Sequence, residues 1–414
     1  MDVIVERCAG LDVHKDTVMA CVRKPGSGSG RSQEVREFRT WSSSLRELRE
    51  WLGDQQVSQV AMEATGVYWR PVWAELEQLD GVELLLVNAH HVKNLPGRKT
   101  DVNDACWLAQ LLECGLLRGS FVPPPVISRL RDLTRYRTKL VQDRAREVQR
   151  VQKVLETAGI KLESVVSDVM GKAARRMIDA LVAGERDVEV MADMALTRMR
   201  PKIAELQLAL EGRFTDHHAL MLSLHLGHID QLTVAIERLD EEVERELAPF
   251  VEQFALLCTI PGIGRRVAEV VIAEIGVDMG RFPTAQHLAS WAGLCPGHHE
   301  SAGKRRSGKA RKGDAALRVA LCEAAWSAAR TRDTYLAAQF RRFSRRMGKR
   351  NEGKAIFAVA HTMIVIIWHV LANGVPYDEL GGDYFDQRDT TTEIHRHVNA
   401  LRRLGHDVTI TSAA

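Results

Sequence analysis

Two groups of residues in this sequence have the types and spacing for chemistry on a phosphodiester. The first is acidic. Asp12 stands in GLDVHKD, Glu63 in AMEATG, and Asp101 and Asp104 in RKTDVND. The last two are three residues apart, hence on one face of a helix. Carboxylates at strand ends, faced by helix carboxylates, make an oxygen-rich pocket of the kind Mg²⁺ prefers. Two such ions about 4 Å apart can clamp the attacking and leaving oxygens of a displacement at phosphorus. The plainer reading is that the chain carries 54 Asp+Glu, most of them solvated, and that Asp101 is only a helix N-terminal charge. Asp12 resists that reading because it interrupts an otherwise apolar strand. Asp16 competes for one ligand place, but alternation along the next strand points it outward.

The second group is ESAGKRRSGKARKGD, Glu300 to Asp314, basic, glycine-rich and containing Ser301 and Ser307. Lys304, Arg305, Arg306, Lys309, Arg311 and Lys312 can neutralise phosphates, and the glycines let backbone approach them. A serine in such a cradle is a candidate nucleophile. A loop that only binds nucleic acid would look the same. An ATP loop is excluded: Gly303 to Ala310 reads G-x-x-x-x-G-K-A, with Ala310 where a magnesium-holding hydroxyl belongs, and Pro296-Gly297 rather than a strand leads in.

The elements that must position these residues are legible in outline. Strand signals cover Ala9–His14, Thr17–Arg23, Glu34–Thr40, Gln59–Met62 and Val82–Val87. Helix signals cover Ser42 or Ser43 (as cap) to Leu52, Tyr68–Leu79, and a stretch after Thr100 carrying Ala105, Leu108 and Leu112. Three strands, then helix, strand, helix, strand, helix is the order of a ribonuclease-H-like domain. From Pro123–Pro125 to Pro249 the chain reads as helix. Leu222, Ile229, Leu232, Ile236, Leu239 and Val243 make a heptad seam, for packing within the chain or for dimerisation. Thr259 to Gly264, TIPGIG, followed by an apolar helix, reads as a helix-hairpin-helix. Gly262 and Gly264 would form its turn and a helix N-terminus would face phosphate. Arg265 and Arg266 oppose the dipole of that helix, which a phosphate contact would explain.

Composition fits a soluble globular protein of 414 residues, 45% hydrophobic and 27% charged. Net charge is only +3, but His298 to Lys354 holds 16 Lys+Arg against 5 Asp+Glu, a local net of +11 that favours a polyanion. Seven scattered cysteines without a C-x-x-C pair argue against a disulfide framework and a zinc site, and favour a reducing cytoplasm. The N-terminus is not a signal peptide. The longest apolar stretch, Ala355–Ala372, contains His361 and His369 and reads as a buried or partner-facing helix rather than a membrane span.

GLDVHKD, AMEATG, RKTDVNDA, TIPGIG, Trp291-Ala292-Gly293-Leu294 and ESAGKRRSGKARKGD, in this order, resemble the DEDD transposases of the insertion sequence 110 family. The resemblance implies a RuvC-like DEDD domain over 1–122, a helical coiled-coil region over 123–250, a serine-bearing domain with the helix-hairpin-helix over 251–380, and a tail over 381–414. It implies that Asp12, Glu63, Asp101 and Asp104 bind Mg²⁺. It implies a nucleophilic serine: Ala302 stands where the family often has one of two adjacent serines, which leaves Ser301 as the candidate, with Ser307 as runner-up. It implies DNA at donor ends and target, an element-encoded guide RNA, a homo-oligomer whose site joins tetrad and serine from different protomers, and a cytosolic setting. Two other functions remain open on the residues: a junction-resolving endonuclease using metal-activated water, and a non-catalytic nucleic-acid-binding protein.

Overall fold

The computed structural model describes residues 3–26, 30–64, 66–88, 104–297, 299–301, 303–308, 310, 312–388 and 390–410. Thr100, Asp101, Lys309 and Arg311 lie outside the described residues. The chain divides into two compact units, Met1–Val122 and Pro123–Ala414.

The first unit is a mixed five-stranded sheet in the order β3-β2-β1-β4-β5. β1 (Cys8–Val13) pairs antiparallel with β2 (Thr17–Pro25), which pairs antiparallel with β3 (Arg31–Arg39). On its other side β1 pairs parallel with β4 (Gln59–Glu63), and β4 pairs parallel with β5 (Glu83–Val87). This arrangement is consistent with a ribonuclease-H-like domain.

Alternation along the strands sends Ala9, Leu11, Val13, Val60 and Met62 to one face, where α1 (Ser42–Asp54) contributes Leu45, Leu48 and Leu52 to the core and α2 (Trp69–Leu76) adds Val72 and Leu76. The cap of α1 differs from the expectation. Trp41 holds the N-cap place without a side-chain bond, and Ser44 instead accepts the Arg39 N–H at 3.1 Å. That hydroxyl is used to close the strand-to-helix corner.

The opposite face is covered by the helix Asp104–Glu113, whose Ala105, Cys106 and Ala109 meet Cys21. Gly10 makes this approach possible: an ideal Cβ there would lie 2.2 Å from the Ala105 carbonyl oxygen. Burial pushes the Cys8 thiol up to about 12 and raises that of Cys21 as well, so these cysteines are packing residues and not nucleophiles.

The second unit is almost wholly helical. Two long helices, Pro125–Thr157 and Asp216–Leu247, lie antiparallel, as the cross-pairs Arg129–Glu246, Arg137–Asp240 and His225–Glu147 require. Within one chain, Leu222, Ile229, Leu232 and Val243 of the heptad seam are buried, whereas Ile236 and Leu239 are half-buried. Beyond the pair, the helix Glu352–Asn373 buries Ala355, Ile356, Val359, Ala360, Met363, Ile364 and Ile367 against its neighbours. Its length and apolarity would suit a membrane span, but half of its most apolar stretch is core.

Candidate active site

Register places two of the acids side by side. Leu11 of β1 is level with Met62 of the parallel strand β4, and both side chains enter the core below the sheet. Asp12 and Glu63 come one residue later, so they are level on neighbouring strands, about 4.8 Å apart in the pairing direction, and on the opposite face. Both are half-buried. That face is the one covered by Asp104–Glu113. The helix runs antiparallel to β1: Ala105 lies over Gly10, whereas the Cys8 thiol donates to the Ala109 carbonyl at 3.4 Å. Asp104 opens this helix, exposed, at the end of the sheet where β1 and β4 terminate. The fold thus brings Asp12, Glu63 and Asp104 to one end of one face.

The immediate surroundings contain a group the sequence reading passed over. His14 Nε2 lies 3.1 Å from Asp12 Oδ2, two residues along the chain in the β1–β2 turn. Its presence in GLDVHKD was the available signal. Asp16 is exposed in the same turn and lines a shallow cleft with Val13, His14, Lys15, Thr17, Gly66 and Tyr68.

Hard carboxylate oxygens at one sheet end are the donor chemistry of a Mg²⁺ site. Among the described residues, however, no three His, Cys, Asp or Glu side chains gather closely enough to hold a metal. The donor set fits Mg²⁺ in kind, but the described acids do not by themselves form a metal-holding group, and the fourth member, Asp101, lies outside the described residues.

In the second unit the basic stretch is not the loop expected but a short antiparallel hairpin, β6 (His299–Ser301) and β7 (Lys304–Ser307). Ser301 pairs with Lys304 across the tight turn, where Gly303 takes a φ of +72° that favours glycine. Ser307 pairs with His299 at the open end. The two serines thus occupy different places: Ser301 at the tip, Ser307 at the base. Lys-Arg-Arg-Ser has no apolar alternation, which is why the strand signal was absent.

The base of the hairpin is closed by backbone packing. The helix Ala285–Trp291 ends in a Schellman motif, with Leu294 N–H donating to the Ala289 carbonyl at 3.0 Å and Gly293 N–H to Ser290 at 3.1 Å. Gly313 packs on that turn so tightly that an ideal Cβ would lie 2.3 Å from Gly293 N. Asp314 then caps the next helix, Ala315–Arg330, accepting from Leu317 N–H at 2.8 Å.

Asp314 is also held from outside. Arg135, on the first long helix, donates to Asp314 Oδ2 at 2.7 Å and grips both oxygens of Glu274 at 2.7 and 2.8 Å. Arg131 adds a 3.0 Å ion pair to Glu274 and donates to the Ala273 and Glu274 carbonyls, closing the C-terminal end of the helix Arg265–Ile275. Burial pushes the Glu274 carboxyl above its ordinary range even against these guanidiniums. Sequence reading missed this cluster, although two glutamates inside the apolar run RRVAEVVIAEIG were a signal of buried pairing.

In the turn Thr259–Gly264, Gly262 takes φ +88° and also permits close packing: an ideal Cβ would lie 2.3 Å from the Ala324 carbonyl oxygen. Arg265 pairs with Glu269 and Glu244, and Arg266 with Asp240 and Glu269, while both arginines stay exposed. Gly264 is exposed at the N-cap, with open space around it.

Comparison with known proteins agrees with this layout. A transposase model of the DEDD, IS110 type matches residues 9–160, and one described as the transposase IS116/IS110/IS902 family matches residues 254–341. The chain belongs to the IS110 family of transposases. The first match covers the strand-end acids, and the second covers the glycine turn, the hairpin and the basic helix after it. Family relatives include the pilin gene-inverting proteins of Moraxella bovis and Moraxella lacunata. Each is 35% identical over 129 residues, which is 30% of this chain and 38% of theirs. The alignment thus spans well under half of those relatives. The uncharacterized 44.8 kDa protein of insertion element IS116 from Streptomyces clavuligerus is 26% identical over 70% of this chain and 78% of its own length.

Proposed function

We propose that this IS110-family chain is a DNA transposase or site-specific recombinase, cutting and rejoining strands at element ends and target. The observation that carries the reading is the placement of Asp12 and Glu63, level on adjacent parallel strands and facing the helix that Asp104 opens. Family membership supplies the reaction class. The relatives named for pilin gene inversion support DNA rearrangement as that class.

In this reading Asp12, Glu63, Asp101 and Asp104 hold Mg²⁺, which would stabilise the charge that builds on phosphorus and the leaving oxygen. Ser301 is the nucleophile. Its oxygen bonds to phosphorus as the phosphorus–O3′ bond breaks, its proton is lost to base, and the 3′-hydroxyl leaves. The reverse attack by a new 3′-hydroxyl frees the serine. The covalent ester conserves the bond, so no ATP is needed. Lys304, Arg305, Arg306, Lys309, Arg311 and Lys312 neutralise the phosphate. Gly264 at the N-terminus of Arg265–Ile275 offers backbone N–H groups to a second phosphate, in the manner of a helix-hairpin-helix. Guide-RNA use, a coiled-coil role for the long helices, oligomeric assembly and a cytosolic location are part of the same proposal.

The test is a denaturant-stable protein–DNA adduct. Wild-type protein with element-end DNA should form it, and Ser301→Ala should lose both adduct and strand exchange while still binding DNA. Free 5′-phosphate ends without an adduct would favour the junction nuclease instead. Asp12→Asn should abolish exchange by at least about a thousandfold, the scale of losing a principal electrostatic contribution to the reaction.

A further inference from the structure

The second unit uses its cations in two ways. Arg129, Arg131, Arg135 and Arg137 on the first long helix, with Arg265 and Arg266, are matched by carboxylates. Among the described residues, those on the helix Tyr335–Met347 and the turn after it are not. From Arg330 to Lys354 there are nine Lys+Arg against two Asp+Glu. Arg341, Arg342, Arg345, Arg346, Lys349 and Arg350 are all exposed.

The first turn of this helix, Leu336 to Gln339, is buried. It packs on Ala315–Arg330, the helix that leaves the hairpin, with Trp326 against Phe340 at 5.9 Å. Arg341 and Arg345, like Arg342 and Arg346, are four apart on the outer face. Like charges at this spacing repel one another. The helix dipole offsets this only in the last turn, which leaves Arg341 and Arg342 uncompensated.

Two of the guanidiniums are held in place. Arg342 lies 5.0 Å over the Phe385 ring and Arg346 5.7 Å over Phe343. Phe385 is itself stacked on Tyr335 at 5.2 Å. Cations kept exposed, repelling one another and orientated on rings are arranged for a polyanion.

From this the geometry points to the outer face of Tyr335–Arg350 as a binding surface for the phosphate backbone of duplex DNA, read without regard to sequence. The choice of DNA as the polyanion rests on the recombinase reading; the surface itself does not.

Full-length protein is titrated with a short blunt DNA duplex in EDTA, over a range of KCl, so that no strand exchange takes part. The variant R341Q/R342Q/R345Q/R346Q should lower the slope of log K against log salt by roughly 3 to 4, about 0.9 for each phosphate left without its arginine. R341Q/R345Q should lower it by about half as much. Replacing all four by lysine should keep the slope. Arg129→Gln, which removes a cation already paired with Glu246, should not change it.

An unchanged slope in both glutamine variants would overturn the proposal. So would a loss confined to a hairpin RNA, which would make RNA the occupant. Either failure leaves the adduct test of the recombinase reading untouched, and failure of that test leaves a measured salt slope standing.

Discussion

The carboxylate end of the first unit and the hairpin of the second are held by different physics. Asp12 and Glu63 sit on a sheet whose two faces are buried, and the helix carrying Asp104 is seated through Gly10 and the small side chains Ala105 and Ala109. Close packing seats the helix at this end, and at its other end Arg23 and Arg31 grip the buried Glu113. The hairpin has two short strands, and the segments that flank it are held together by Gly313 on Gly293 and by the chain Glu274–Arg135–Asp314. Packing tolerates salt and pH but not added volume. An ion-pair cluster tolerates small changes of volume but not loss of a partner.

The largest expected effect tests the packing side. Gly10→Val should overpack the contact with the Ala105 carbonyl, lower stability by about 3 kcal/mol or more, and displace Asp104. Thermal unfolding of the first unit would read the first effect and loss of strand exchange the second. Arg135→Gln tests the other side. Glu274 keeps Arg131, so the loss should be near the lower end of the range for a broken buried pair, about 3 kcal/mol. A variant with full stability would show that the cluster is not a buttress.

Acid should also separate the regions. Hydrogen bonds from Arg266, and the charges of Arg266 and Arg137, hold the Asp240 carboxyl below its ordinary 3.8 against the opposing cost of burial. A carboxyl held below its unfolded value stabilises the fold above that value, and the contribution is lost as pH falls through the folded value. The Asp240 contribution should thus be intact at pH 5 and fade below roughly pH 4. Asp240→Asn should flatten the dependence in that acid window, and Gly10→Val should not. Equal acid profiles for wild type and Asp240→Asn would remove Asp240 from this account. The smallest effect is expected at Arg129→Gln, a surface pair with Glu246, whose unfolding midpoint should match wild type.

Much of the first unit was legible beforehand because each element carries its own periodicity. Cys8–Val13 and Glu83–Val87 are apolar runs, and α1 repeats leucine at helical spacing. The acids were legible because a carboxylate in an apolar strand is costly without a purpose. The hairpin was not, since Lys304–Ser307 pairs through backbone alone and carries no pattern. The pairing of Arg265 and Arg266 with Glu244 and Asp240 was not legible, since those partners lie more than twenty residues back on another helix, whereas Glu269 on the same helix was within reach of a sequence reading.

By itself, the sequence determined which residues could do chemistry, which segments are strands or helices, and the family they resemble, since these depend on residue type and local spacing. Only the tertiary structure decided that Asp12 and Glu63 share a level and a face, which residues of the heptad seam are buried within one chain, and which arginines are matched by carboxylates and which stay exposed without one. Those properties depend on register and on partners distant in the chain, and the cost or gain of a charge is set by what stands beside it in space.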